Sequence, residues 1–149
     1  MPATAPALDN LSVNITQEVH VRSSIAATFA ALLEEIGPEH QIPDGPSMPL
    51  TLEPWPGGRW FRDLGDDNGH FWGHVQAIKR PTLLEITGPL MISAPVVANV
   101  QYRLKEVDGG TLVTLRHTMF GPIPEGYSEG MAQGVPHLFE RIRRRAEAA

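Results

Sequence analysis

His117 and Tyr102 are the residues of this chain best placed to do chemistry. His117 alternates with apolar residues in the segment 111–120, so a strand would direct it to the inner face of a sheet. Tyr102 lies on the inner face of the preceding predicted strand, and the turn Asp108-Gly109-Gly110 brings the two strands together. An imidazole and a phenol placed in this way could orient a ligand or transfer a proton inside a pocket. They could equally be core residues whose polar atoms bond to the backbone or to each other.

A second set of polar residues, His70 and His74, flanks Trp72 on one predicted strand. At this spacing the two imidazoles would lie about 7 Å apart on one face of the strand. A metal site would need a third ligand, for which Asp63 or Asp66 is the candidate, and no spacing here is a recognised zinc motif. The chain has no cysteine, and its serines lie outside any nucleophile elbow. We therefore expect no metal, no cofactor and no nucleophilic catalysis.

A tryptophan-rich turn is the most informative structural signal. Pro56-Gly57-Gly58 interrupts two extended runs, and glycine accepts the positive φ that a tight reversal requires. Trp60, together with Trp72 on the next strand, would form a wall of the core or of a cavity. Arg59 and Arg62 alternate around Trp60, so one arginine shares its face. That arginine would stack on the ring, bind a ligand carboxylate or remain solvated.

Length and composition predict one globular domain. The chain has 149 residues, of which 42% are hydrophobic and 19% charged, enough to bury a core without disulfides. Its net charge of −5 argues against a nucleic-acid partner, because phosphate neutralisation needs a basic surface. The N-terminus lacks the features of a signal peptide, and no apolar run reaches the ~18–20 residues of a membrane span. We expect a cytoplasmic protein with no membrane partner.

Two groups of charged residues are predicted to be solvated. The first is the basic cluster Arg141, Arg143, Arg144 and Arg145, interpreted as the last turn of a helix, where cations complement the helix dipole. The second is Glu34-Glu35 at the end of an earlier helix, interpreted as ordinary surface.

The order of elements predicts an α+β domain. Residues 1–12 are typical of a flexible leader, and residues 13–149 form the domain. Residues 14–22 alternate as a half-buried strand, and Ser23 or Ser24 then caps a helix that ends at Gly37-Pro38. Residues 39–49 form a loop that could flank a pocket mouth. Six antiparallel strands follow, at about 50–55, 59–64, 70–79, 83–87, 99–107 and 111–120.

The chain ends in a long amphipathic helix, from about Ser128 to Ala146. Pro136 lies inside its apolar stripe, so we expect the helix to start properly near Val135 or to bend there. One such helix against a curved antiparallel sheet is a two-layer architecture. The alternative is a small closed β-barrel with terminal helices.

The order of elements and several motifs resemble the START-like (SRPBCC) superfamily. The branch is the one named after activator homologues of the ATPase of the 90-kDa heat-shock chaperone. Together with the spacing of the two helices, the motifs extend the resemblance over nearly the whole chain after Ser12. The motifs are Glu53-Pro54-Trp55-Pro56-Gly57-Gly58-Arg59-Trp60, Trp72-Gly73-His74-Val75, Lys79-Arg80-Pro81-Thr82-Leu83-Leu84, Gly110-Thr111-Leu112-Val113-Thr114-Leu115-Arg116-His117 and Phe120-Gly121.

The resemblance implies a helix-grip fold, in which a seven-stranded antiparallel sheet wraps over the C-terminal helix and encloses a cavity. Members of the superfamily bind lipids, hormones or polyketides, and a minority are enzymes. We therefore expect a small apolar ligand between sheet and helix. Strand alternation and the resemblance together suggest as its contacts Val19, Trp60, Trp72, Tyr102, Leu115, His117, Met119, Met131, Val135 and Phe139.

Two other functions remain open. One is a cyclase- or dehydratase-like enzyme that uses His117 and Tyr102 as an acid–base pair. The other is a chaperone-interacting module, as the name of the branch suggests, with an apolar patch at 89–92 or 95–97. Those two segments could equally cover a pocket entrance or pack in a homodimer.

Overall fold

The computed structural model describes residues 11–149, which form seven β-strands and two α-helices. The first ten residues of the predicted leader lie outside this range. The strands pair in the order β1-β7-β6-β5-β4-β3-β2, and every pair is antiparallel. The predicted seven-stranded α+β helix-grip architecture is confirmed, and the sheet remains open between its edge strands. The elements are β1 (Ser12–Val21), α1 (Ile25–Glu35), β2 (Thr51–Leu52), β3 (Arg59–Gly65), β4 (Asn68–Lys79), β5 (Leu83–Gly88), β6 (Val97–Val107), β7 (Gly110–Phe120) and α2 (Tyr127–Glu147).

Helix α1 begins where the capping signal predicts. The Ser24 side chain accepts a hydrogen bond from the backbone N–H of Ala27 at 3.1 Å, which satisfies one of the free donors of the first turn. Phe29, Leu32 and the following Ile36 are buried against the core. The helix therefore packs its apolar stripe inward, beside α2.

The inner face of the sheet follows from strand alternation. On β7 the side chains of Val113, Leu115, His117 and Met119 are all buried, as are Val100, Tyr102 and Leu104 on β6. The β6–β7 hairpin sets Tyr102 opposite Leu115 and Val100 opposite His117. Both sets are those predicted from the period of two.

The turn before β3 is a reversal, as predicted, but strand β2 is only two residues long. Gly57 has a φ of +82°, a region that favours glycine. A Cβ on Gly58 would lie 1.9 Å from the carbonyl oxygen of Glu53. The chain turns away at Glu53 instead of continuing to Trp55, which is why the predicted strand 50–55 is shortened.

A β-bulge in β4 separates two histidines that the sequence places on one face. Trp60 pairs with Gly73 while Phe61 pairs with Phe71, so Trp72 is an extra residue in its strand. An extra residue reverses the alternation beyond it. His70 and Trp72 therefore face inward, whereas His74 is exposed beside Phe71, with ring centroids 4.8 Å apart. The prediction of a shared face for His70, Trp72 and His74 is wrong.

Helix α2 is continuous from Tyr127 to Glu147, with Pro136 inside it. The expectation that it starts near Val135 is wrong, because the chain enters the helix at Gly126, whose φ is +82°. Val135, Phe139 and Ile142 are buried against the sheet side. Although α2 has 21 residues, neither helix within residues 11–149 is both long and apolar enough to cross a membrane.

Glu35 is buried, which corrects its predicted surface placement. Its side chain is 2% exposed, and its carboxylate accepts hydrogen bonds from Arg141 Nε at 2.6 Å and Arg145 Nε at 2.7 Å. Two residues of the basic cluster thus hold α2 against α1 instead of being simply solvated. The other two, Arg143 and Arg144, pair with glutamates of α2 itself.

This arrangement predicts that Glu35→Gln destabilises the fold. The substitution removes the anion between two guanidinium groups, and loss of one partner from a buried ion pair leaves charge unpaired. We expect the free energy of unfolding to fall by about 2–3 kcal/mol, less than for a fully buried pair because both arginines are partly exposed.

Urea denaturation measures this effect, with Glu34→Gln as the matched control. Glu34 is exposed on the same helical turn, so its substitution should change stability by at most about 0.5 kcal/mol. Equal losses in the two variants would contradict the assigned role of Glu35.

Candidate functional site

A pocket of about 550 Å³ lies between the inner face of the sheet, α2 and the segment 40–48. This volume is within the ~300–1,000 Å³ range of small-molecule sites. Most of its walls are apolar or aromatic side chains. They come from the sheet (Trp60, Trp72, Val100, Tyr102, Leu115, His117), from α2 (Tyr127, Met131, Val135, Leu138) and from the loops around the opening (Ile42, Met48, Leu90, Met91).

Seven of the ten predicted contact residues line this pocket: Trp60, Trp72, Tyr102, Leu115, His117, Met131 and Val135. Val19, Met119 and Phe139 do not: Met119 and Phe139 are buried in the core, and Val19 packs against it. Alternation predicts which face a side chain occupies, but not how far a pocket extends along that face. Here the pocket reaches Leu115 and His117 on β7 and stops before Met119.

His117 pairs with Tyr127 and not with Tyr102. Its Nε2 lies 2.8 Å from the Tyr127 hydroxyl, and its side chain is fully buried. Burial lowers the pKa of His117 to about 4 and raises the pKa of Tyr127 to about 12. Both groups are therefore neutral near pH 7, so they form a neutral hydrogen-bonded pair in the pocket wall.

Tyr102 presents a hydroxyl without a partner. The ring is buried in the pocket wall, and the hydroxyl makes no hydrogen bond with any residue in the range 11–149. Burial, and secondarily the nearby Tyr127, raise the pKa of Tyr102. The direct Tyr102–His117 pair is not formed. Tyr102 lies opposite Leu115, two residues along β7 from His117, and the first turn of α2 supplies Tyr127 as the partner of His117.

Tyr127 is the site residue that the sequence analysis missed. It precedes Met131 and Val135 at intervals of four, so it belongs to the same stripe of α2. Extending the apolar stripe by one turn would have identified it. Assigning the start of the helix to Ser128 concealed this signal.

An aromatic cluster forms another wall of the pocket. Trp60 and Trp72 pack edge to face with centroids 5.0 Å apart, and His40 packs against Trp72 at 5.9 Å. Trp60 Nε1 donates a hydrogen bond to the carbonyl of Ile36 at 2.8 Å, and His40 Nδ1 lies 3.1 Å from the carbonyl of Met48. These bonds attach Trp60 to the end of α1 and His40 to the loop 39–49. Trp72 is held by packing between these two rings, because its Nε1 has no hydrogen-bond partner among the described residues.

Two glycines of α2 leave space for the pocket. Gly130 and Gly134 line it, and a Cβ built on either would meet no described atom within 4 Å. Glycine inside a helix costs about 0.5–1 kcal/mol relative to alanine. Steric crowding does not explain why glycine stands at these two positions, because each has room for a side chain. Gly134, which is half-buried, preserves open volume under the helix, and Gly130, which is exposed, preserves it at the edge of the pocket.

The opening of the pocket has an apolar rim. Leu64, Met91 and Ile42 are 60%, 46% and 39% exposed and all line the pocket. In the segment 89–97, whose role the sequence left open, Leu90 is buried and, with Met91, borders the pocket. Part of this segment therefore covers the pocket, as one of the sequence-based alternatives proposed.

The pocket contains histidines but no cluster suited to a metal ion. His40, His70, His117 and His137 all line it. Within residues 11–149, no three or more His, Asp or Glu side chains come together in a way that could hold a metal. The β4 bulge contributes to this, because it turns His74 away from His70.

A seven-stranded antiparallel sheet wrapped over a long C-terminal helix, with a pocket between them, defines a helix-grip protein of the START-like superfamily. The model of the family described as "Activator of Hsp90 ATPase homolog 1-like protein" matches residues 46–147. The chain belongs to this family. Among curated proteins, no sequence matches it significantly.

Solved structures share the fold at low sequence identity. Protein NE0264 from Nitrosomonas europaea is 15% identical, with a TM-score of 0.66 over 97% of this chain and 99% of its own. Protein BH1534 from Bacillus halodurans is 20% identical, with a TM-score of 0.66 over 91% and 99%. The di-domain ARO/CYC StfQ from the steffimycin biosynthetic pathway is 11% identical, with a TM-score of 0.65 over 95% of this chain. The chain spans 52% of the length of StfQ.

The lowered pKa of His117 predicts a loss of stability in mild acid. Below pH 6.5 the unfolded chain protonates this residue while the folded protein does not, until the pH approaches about 4. At pH 5 this difference amounts to about 2 kcal/mol, taking ~1.4 kcal/mol per pKa unit. His40, whose pKa burial also lowers, acts in the same direction.

The contribution of His117 is isolated by comparing urea denaturation at pH 7 and pH 5. His117→Gln should lose most of the ~2 kcal/mol pH-dependent difference, whatever its stability at pH 7. His74→Gln, at an exposed position on the outer face, should retain it. An unchanged pH dependence in His117→Gln would show that this imidazole is not held neutral.

Proposed function

We propose that the protein binds a small, mainly apolar ligand in the pocket between the sheet and α2. The observation that carries the proposal is the pocket itself, of about 550 Å³ and lined mostly by apolar and aromatic side chains. Protein interiors are normally close-packed, with few voids larger than a water molecule. A space of this size is therefore a site that a ligand would fill.

The glycines of α2 support this proposal. Gly134 faces the pocket with free space where a side chain would lie, and alanine there would favour the helix. A sequence shaped only by stability would fill this position. The retained volume favours a binding role over a purely structural one.

Polar groups in the wall would orient the ligand. The Tyr102 hydroxyl faces the pocket without a protein partner in the described range, and the Tyr127–His117 pair lies close by. A ligand carbonyl that met Tyr102 would accept a hydrogen bond from this hydroxyl, which is worth about 0.5–1.5 kcal/mol net. The proposed ligand is thus apolar over most of its surface, with a hydrogen-bonding group at this end.

The polyketide cyclase-like alternative ranks below binding. The pKa values of about 4 for His117 and about 12 for Tyr127 lie far from neutrality, whereas an efficient general acid or base has a pKa near the working pH. The structural similarity to the ARO/CYC StfQ concerns the fold, and fold alone does not carry activity. The pKa values of His117 and Tyr127 therefore favour hydrogen bonding to a ligand over proton transfer.

The chaperone-interacting alternative, which the family name suggests, has less support from the surface. Leu90 and Val96, central to the two candidate apolar segments, are buried. These two buried residues interrupt both segments. Of the apolar side chains that stay exposed, Met91 belongs to the rim of the pocket, and Val97 lies opposite the exposed Phe120 across the β6–β7 pair. We therefore rank this alternative, and a homodimer, below ligand binding.

Filling the pocket tests the proposal. We expect the neutral fluorescent probe N-phenyl-1-naphthylamine to bind the native protein. Gly134→Leu should weaken its binding at least about tenfold, because the new side chain takes up space that the rings need. Ala132→Leu, on the exposed side of the same helix, should leave it unchanged. Equal binding to all three proteins would count against the pocket as the site.

Two measurements complete this test. Gly134→Ala should raise the free energy of unfolding by about 0.5–1 kcal/mol, which shows that the glycine is not needed for folding. Native mass spectrometry of protein purified from its own host should reveal a bound small molecule that Gly134→Leu lacks. A ligand-free native protein that also fails to bind the probe would refute the proposed function.

A further inference from the structure

We propose that the ligand carries a carboxylate, which Arg62 binds at the pocket mouth while the apolar body enters between the sheet and α2. The inference rests on the proposed function and adds the chemical class of the ligand. It derives from the distribution of charge around the pocket.

The pocket carries a positive charge in an acidic protein. Its lining contains one carboxylate, that of Glu35, and two guanidinium groups, those of Arg62 and Arg141, among the residues described. Glu35 is already bound by Arg141 and Arg145 at 2.6 and 2.7 Å. The net charge of the chain is −5, so the charge of the pocket differs in sign from that of the protein as a whole.

The two arginines that line the pocket differ in whether their guanidinium groups already have hydrogen-bond partners in the protein. Arg141 donates to Glu35, to the Gln41 side chain at 2.7 Å and to the carbonyl of Glu39 at 3.3 Å. Arg62 makes no ion pair or side-chain hydrogen bond with any residue of the described range. Its neighbour Asp63 lies on the opposite face of β3 and accepts a hydrogen bond from the N–H of Gly65 at 2.8 Å. The guanidinium of Arg62 is therefore the cation available to a ligand.

The surroundings of Arg62 suit the junction between an anionic group and an apolar body. Leu64 follows it on the same face and is 60% exposed, and Met91 adds a second exposed apolar side chain to the rim. On the neighbouring strand His70 lies directly opposite Arg62 and also lines the pocket. A planar guanidinium binds a carboxylate through two parallel hydrogen bonds, and the rim would cover the adjacent apolar atoms.

A matched pair of competitors tests this inference. Decanoate and 1-decanol share a chain length and differ in charge, and each is measured by its displacement of N-phenyl-1-naphthylamine. We expect decanoate to bind the native protein more tightly by about 3–10-fold, the range of a charge-assisted hydrogen bond at a partly exposed site. The preference should shrink at high salt, which screens exposed charges.

Substitution of Arg62 assigns the preference to one side chain. Arg62→Gln should abolish the preference for decanoate over 1-decanol, so that decanoate loses more affinity than 1-decanol or the neutral probe does. Arg62→Lys should keep part of it, because lysine retains the charge without the bidentate geometry. The control is Arg116→Gln, an exposed arginine on the outer face of β7, which should behave as the native protein does.

The outcomes separate this inference from the proposed function. If the probe and 1-decanol bind but decanoate has no advantage, or keeps its advantage in Arg62→Gln, the role of Arg62 is wrong and the apolar site stands. If neither the probe nor either competitor binds, the proposed function fails and the inference fails with it.

Discussion

The carboxylate of Glu35, at the end of α1, lies against α2, where it meets Arg141, a residue 106 positions further along the chain. Removing a carboxylate from water is costly, and two guanidinium groups from α2 offset that cost here. Arg141 also binds Gln41 and Glu39, so the same side chain that neutralises Glu35 fixes the loop beside the pocket. The position of α2 over the sheet, and therefore the height of the pocket, depends on this cluster of charges.

The pocket has an aromatic wall on the sheet side and a helix that carries two glycines, α2, on the other. Trp60 donates a hydrogen bond to the carbonyl of Ile36, and the ring of Trp72 packs edge to face against the ring of Trp60. The aromatic wall therefore has little freedom to move into the pocket. On the other side of the pocket, two successive turns of α2 carry a glycine, Gly130 and Gly134, and therefore no side chain that would fill the space. The pocket stays open because large, fixed rings form one wall while the glycines of the opposite wall have no side chains to pack against them.

Local patterns predicted most of the fold and part of the site. Alternation on β6 and β7 identified Tyr102, Leu115 and His117 as inward-facing, because the period of a strand depends only on neighbouring residues. The β4 bulge was not predictable in this way, since it depends on how Trp60 pairs with Gly73. The burial of Glu35 was missed for a similar reason, because its partners lie on the other helix. Tyr127 was within reach of the sequence and was lost to a one-residue error in the start of α2.

The pairing of β1 with β7 has a consequence for how the chain folds. The strands β3 to β7 form successive hairpins whose contacts are local, whereas β1 must wait for a partner near the opposite end of the chain. During synthesis the first strand therefore leaves the ribosome long before its partner, with an unpaired backbone and a half-apolar face. Non-local pairing of this kind carries a loop-closure cost and slows folding. The N-terminal strand and α1 would thus join the structure last, when the completed meander and α2 provide the surface on which they pack.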